Sequence, residues 1–160
     1  MKQMHRAMLL ALIAVLLLGA CSSMQSLMFP PGVKLSWDQV ALHIDPAANR
    51  DFPIAVDIVL VMDESLARKV SGLKASEWFA ARDGLRKLHP GELEIESAEL
   101  APGEMLTLPG KRFDGKRVFA AFAFADYFSN GEHRARLDSF KGKIILEFGA
   151  TDFSVSASEK

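Results

Sequence analysis

The chain has 160 residues, 49% of them hydrophobic and 24% charged, with a formal net charge of −1. That length suits one ordinary domain with a real core, and the lack of a basic excess excludes a nucleic-acid binder. One cysteine in the whole chain leaves no intrachain disulfide, so burial alone must hold the fold.

The first segment reads as an address. Lys2 and Arg6 precede an apolar run from Ala7 to Ala20, which closes on Leu18-Gly19-Ala20-Cys21. The run has signal-peptide length and is short for a membrane span of about 20 residues. It resembles a bacterial lipoprotein signal. That resemblance implies removal of residues 1–20, covalent lipid on Cys21, and a chain held outside the cytoplasm. Loss of Lys2 and Arg6 would leave 17 Lys+Arg against 20 Asp+Glu, a formal charge of −3. Ser22 follows the cysteine where an Asp would signal inner-membrane retention, so the resemblance implies the periplasmic face of the outer membrane. Residues 21–32 read as lipid anchor and tether, with about ten extended residues reaching roughly 33 Å. Residues 33–160 read as the domain.

Val33 to Ile44 predicts a strand. Val33, Leu35 and Trp37 alternate with polar residues, and Val40, Leu42 and Ile44 alternate on the opposite parity. The switch near Asp38-Gln39 demands a bulge or sharp twist, because side-chain direction has period two. Pro53 to Met62 predicts a second strand with Asp57 opposite its apolar face. Asp45 to Phe52 between them is longer than the two to five residues of a usual hairpin loop. Asp63 to Leu73 predicts a short helix and Lys74 to Leu88 a longer one, with Ser76 as N-cap. Trp78, Ala81, Leu85 and Leu88 form its apolar stripe, away from Arg82, Arg86 and Lys87. Glu92, Glu94 and Glu96 alternate with Leu93 and Ile95, a half-buried strand with an acidic wet face.

Met105 to Leu108 reads as a short strand after the Ala101–Glu104 turn. Arg117 to Phe124 has Val118, Ala120, Phe122 and Phe124 on one face and Phe119, Ala121, Ala123 and Ala125 on the other. Both faces need cover, and the alanine side suits a closely packed helix. Lys143–Phe148 and Thr151–Ala157 read as a final hairpin. The sum is mainly β: a two-sheet sandwich, each sheet with one wet face, and a helical insertion at about 63–90.

Chemistry is sparse. The chain lacks a Gly-x-Ser-x-Gly elbow, a phosphate-binding glycine loop and a His-Glu-x-x-His helix. His43 with Asp45 is the local His–carboxylate pair, and it reads as a solvated strand end rather than a catalytic pair. The row Glu92, Glu94, Glu96 and Glu99 reads as a solvated edge strand or as a cation site. Trp78, Phe79 and the aromatics of 119–128 read as core or as a ligand pocket. No catalytic residue, metal site, cofactor or small-molecule substrate is expected. The loop Asp45–Phe52 reads as a recognition loop or as plain solvent loop; Arg50 and Phe52 are types that dominate interface energies.

The order of features resembles the TssJ family, outer-membrane lipoproteins of type VI secretion systems. The matching pieces are Leu42-His43-Ile44-Asp45-Pro46 with Asn49-Arg50, Pro53-Ile54-Ala55-Val56, and Ala75-Ser76-Glu77-Trp78-Phe79. Glu99-Leu100-Ala101-Pro102-Gly103-Glu104 and Val118-Phe119-Ala120-Ala121-Phe122 complete them. The loop lacks the family's Gly-Arg-Pro run, and Gly131–Arg136 only faintly echoes its Arg-rich stretch. The resemblance implies a transthyretin-like sandwich and a non-enzymatic anchoring role. It also implies contact with the periplasmic domain of the inner-membrane protein TssM through Asp45, Asn49, Arg50 and Phe52. The competing expectation is a periplasmic lipoprotein that binds a ligand or inhibits an enzyme, with a pocket at Trp78, Phe119 or Phe122. A hydrolase would need a Ser/His/Asp geometry assembled by the fold.

Overall fold

The computed structural model describes residues 32–158; the signal, Cys21 and most of the tether lie outside them. Strand β1 (Val33–Lys34) is brief, and β2 (Ser36–Ile44) follows it. Strand β3 (Ile54–Val61) leads into helices α1 (Glu64–Ser71) and α2 (Ala75–Leu88). Then come β4 (Leu93–Leu100), β5 (Met105–Pro109), β6 (Arg117–Val118) and β7 (Ala120–Asp126). Strands β8 (Arg134–Arg136), β9 (Lys141–Phe148) and β10 (Phe153–Ser158) complete the domain.

Two four-stranded sheets pack face to face, ordered β10-β9-β2-β5 and β4-β3-β7-β8, while β1 pairs with β6. Strands β2 and β9 run parallel, and the other pairings are antiparallel. The parity switch in β2 is met by a register shift against β9 between Trp37 and Gln39. The shift lets Trp37 and then Val40, Leu42 and Ile44 face the same core. Trp37 stands edge-on to Phe113, ring centroids 5.1 Å apart, and its indole N–H donates to the Ser139 carbonyl at 2.8 Å. Gly110 lies tight against this bulge, where a Cβ would sit 1.8 Å from the Trp37 carbonyl oxygen.

The fold is the mainly β sandwich with a helical insertion that the alternation predicts, but the layers differ. The β4-β3-β7-β8 sheet has no wet outer face at its centre. Ile54, Val56, Ile58 and Leu60 enter the inter-sheet core, while Val59 and Val61 are buried beneath the helices. The helices also cover the phenylalanine side of β7, not the alanine side. Ala120, Phe122 and Phe124 pack with Trp78 and Leu85, whereas Ala121, Ala123 and Ala125 face the other sheet. The reason is volume. The inter-sheet core already holds Trp37, Phe113 and Phe148, and close packing leaves little there for more rings. The rings of β7 fill the sheet–helix gap, with Trp78 stacked on Phe124 at 4.9 Å and 12°.

Helix α1 is capped by Asp63, whose Oδ1 accepts from the Leu66 N–H at 2.7 Å. Helix α2 begins before Ser76: the Lys74 N–H donates to Glu77 Oε2 at 2.8 Å, so Ser76 lies inside the first turn. Its buried stripe ends at Leu85, and Leu88 is 74% exposed. Arg82 turns toward the sheet. Asp57 on β3 is 1% exposed and accepts from Trp78 Nε1 at 2.8 Å, Arg82 Nη1 at 2.8 Å and Ser97 Oγ at 2.6 Å. One carboxylate thus ties α2, β3 and β4 together. A buried carboxylate is tolerated only with such partners.

The acidic row runs along β4, an edge strand of its sheet, and three of its carboxylates are ion-paired there. Glu96 pairs with Arg112 and Glu94 with Lys116 from the segment before β6, and Glu92 pairs with His89. Among the described residues no group of His, Cys, Asp and Glu is placed to hold a metal ion. Trp78 and Phe122 are 0% and 2% exposed, so they are core and not pocket walls.

Candidate functional site

Strands β2 and β9 end, and β3, β5 and β10 begin, at one end of the sandwich. The chain enters the described domain at the other end, where β1 pairs with β6. The nine residues of β2 separate the two ends by about 30 Å.

The loop after β2 is built from its first residue. Asp45 Oδ1 accepts from the Ala47 N–H at 2.7 Å, an Asx-type turn. The Ala48 N–H donates to the Asp45 carbonyl at 2.9 Å, and a tight turn follows in which the Phe52 N–H donates to the Asn49 carbonyl at 3.2 Å. Asn49, Arg50 and Asp51 then carry φ of 48°, 58° and 65°. Left-handed backbone is within reach of Asn and Asp, whose short polar side chains bond locally, but costs a residue such as Arg50 roughly 1–2 kcal/mol. Three in succession persist only if the surroundings hold them.

Asn49 is the holder. It is 2% exposed. Its Nδ2 donates to the Pro53 carbonyl at 3.0 Å, with a longer 3.4 Å contact to the Phe52 carbonyl. Its Oδ1 accepts from the Phe128 N–H at 2.8 Å, and its own N–H donates to the Ala150 carbonyl at 3.1 Å. One side chain therefore pins the 45–52 loop to the 127–133 segment, and its backbone pins it to the 149–152 turn. Arg50, Asp51 and Phe52 are consequently displayed outward. Phe52 is 54% exposed and meets Phe128, 62% exposed, edge-on at 4.9 Å.

Of the four residues singled out in the loop, Asp45, Arg50 and Phe52 reach solvent, while Asn49 is internal and shapes the loop. Phe128 was not separable in sequence from the core aromatics before it, because it closes the same aromatic-rich run of 119–128. His43 and Asp45 are two residues apart in the chain, yet among the described residues no hydrogen bond joins their side chains.

The neighbouring segments are cross-linked too. The Tyr127 hydroxyl lies 3.1 Å from the Gly149 carbonyl and 3.0 Å from that of Asp152. Burial, and then the charge of Asp152, push its phenol well above the usual tyrosine range, so it stays a neutral donor. Ser129, His133 and Asp152 do come together: His133 Nε2 is 3.4 Å from Ser129 Oγ, and Nδ1 is 3.2 Å from Asp152 Oδ1. The geometry is not that of an activated nucleophile. Nε2 is 2.8 Å from the Ser129 carbonyl and donates to it, which leaves no lone pair for a serine proton. Ser129 Oγ itself donates to the Thr151 carbonyl at 2.8 Å. The cluster acts as a strut between loops, and Gly131 leaves room for its imidazole: a Cβ there would lie 2.5 Å from His133 Cε1.

No protein-family profile matches the chain, and no curated protein matches it. Solved structures do. The type VI secretion lipoprotein TssJ1 of Pseudomonas aeruginosa is 17% identical, with a TM-score of 0.57 over 81% of this chain and 99% of that one. Lip of Serratia marcescens, a membrane-bound component of the same kind of system, is 11% identical, with a TM-score of 0.54 over 80% and 100%. A chain of a type VI membrane complex is 13% identical, with a TM-score of 0.58 over 78% and 98%. At these identities the likeness is one of fold, and it spans nearly the full length of each neighbour.

Proposed function

We propose that this protein is a divergent TssJ-type lipoprotein, a non-enzymatic subunit of a type VI secretion membrane complex. Lipid on Cys21 holds it at the periplasmic face of the outer membrane, and the 45–52 loop docks the periplasmic domain of TssM. The observation that carries the docking role is the strained run Asn49–Asp51, pinned from within by Asn49 and presenting Arg50 and Phe52. Strain maintained on a solvated loop serves presentation, since an unselected loop relaxes to cheaper backbone. Support for the assembly comes from the sequence resemblance together with the shared fold of the TssJ1, Lip and membrane-complex chains.

Deleting residues 46–51, and separately changing Phe52→Ala, tests the docking surface in a binding titration with the TssM periplasmic domain of the same system. The expected result is at least about tenfold weaker binding for Phe52→Ala, the order of an aromatic anchor at an interface, with unchanged thermal stability. Unchanged affinity of both variants would refute the loop assignment.

A further inference from the structure

Three of the large apolar side chains that remain exposed, Phe52, Phe128 and Met105 (75% exposed), stand at the loop end of the sandwich. Met105 helps wall an open groove of about 640 Å³ with His43, Asp45, Pro46, Glu147 and Phe153, while Phe52 packs against Phe128. An exposed aromatic pair and an apolar groove wall at one end of a domain mark an interaction face.

The charge around this face says what covers it. Asp45 and Asp51 lie on the loop, Glu104 on the turn before β5, and Glu147 opposite His43. Glu99 and Asp126 flank Ala55 at the start of β3. Among the described residues none of these carboxylates is in an ion pair, and Arg50 is the cation that stands with them on the loop. The whole chain carries only −1, so the excess is local to this end. At the opposite end, where the chain enters, Arg112 and Lys116 are paired with Glu96 and Glu94.

We propose that this end receives an electropositive protein face: Lys and Arg side chains ring the contact, and apolar recesses take Phe52, Phe128 and Met105. Glu99 and Asp126 stand one strand away on either side of Ala55, about 10 Å apart across the sheet and so about a Debye length at physiological salt, and their fields add. Such a rim steers a cationic surface and raises its association rate by about 10-fold or more, while the apolar centre slows dissociation. The same field repels anionic headgroups, which keeps this end off a lipid surface. The inference rests on the docking role proposed above, and specifies the chemistry of the partner.

The test measures association and dissociation rates of the lipid-free chain with the partner's periplasmic domain between about 0.05 and 0.5 M NaCl, a span over which screening becomes strong. The association rate should fall about tenfold with salt, and by a similar factor at low salt in the Glu99→Lys/Glu147→Lys double variant. Dissociation should stay within about twofold in that variant, Phe128→Ala should dissociate faster, and Lys111→Glu should leave association no slower. Salt-independent association, unmoved by the double variant while Phe52→Ala still weakens binding, overturns the electropositive partner and spares the docking role. Absence of any binding by the parent chain overturns both.

Discussion

Asn49→Ala isolates the device that shapes the loop. The change removes the Nδ2 bond to the Pro53 carbonyl at 3.0 Å and the Oδ1 acceptor for the Phe128 N–H at 2.8 Å, both in a site only 2% exposed. Leaving one buried partner unsatisfied costs about 1–3 kcal/mol. Placing Ala at a φ of 48° adds about 1 kcal/mol, since Ala lacks the local hydrogen bonding that lets Asn visit this region. The loop sits at the surface and can admit water to both orphaned groups, which caps the loss. A destabilisation of about 2–4 kcal/mol follows. Asn49→Gly removes the strain and keeps the hydrogen-bond loss, so it should recover about 1 kcal/mol relative to Ala. Urea unfolding gives the stabilities, and hydrogen exchange of the Phe128 amide reports the lost acceptor directly. If Asn49→Ala lies within about 0.5 kcal/mol of the parent, with the Phe128 amide equally protected, the pin does not exist as described.

Other outcomes follow from the same geometry. Asp57→Ala strands the Trp78 N–H and leaves Arg82 without its carboxylate, and should cost about 3–5 kcal/mol in urea unfolding; a loss under about 1 kcal/mol contradicts the tie between α2 and the sheet. Gly110→Ala drives a Cβ into the Trp37 and Asp38 carbonyls, so soluble expression should collapse, whereas Gly84→Ala, with open space around it, should be neutral or stabilising in a thermal melt. Tyr127 is the single tyrosine, so phenolate absorbance reports it alone. Its folded pKa is raised, so its contribution is full below the unfolded value of about 10 and declines as pH rises above it. Absorbance should appear only with unfolding, and Tyr127→Phe should flatten stability above about pH 10. Cys21→Ser should abolish palmitate labelling and move the protein out of the outer-membrane fraction; retained labelling removes the lipid anchor from the account.

Hydrophobic alternation made most of the sandwich legible. The bulge in β2 followed from the parity switch between Trp37 and Val40, because a core on one side leaves no other way to keep both inside. Strand β8 escaped notice, since Arg134-Ala135-Arg136 is too short to show a period. The loop was marked by its length and by Arg50 and Phe52. The role of Asn49 was not, because a partner-facing asparagine and a buried one look alike until its hydrogen bonds are drawn.

Most of the strands along the chain, the site of the helical insertion and the position of the loop were determined by the sequence itself, through local periodicity and turn residues. Three matters were decided only by the tertiary structure: which side of β7 the helices cover, that Asp57 is buried and triply bonded, and that Phe128 joins Phe52. Each depends on groups brought together from distant parts of the chain. Volume, hydrogen-bond satisfaction and exposure are properties of that packing, and no single stretch of residues carries them.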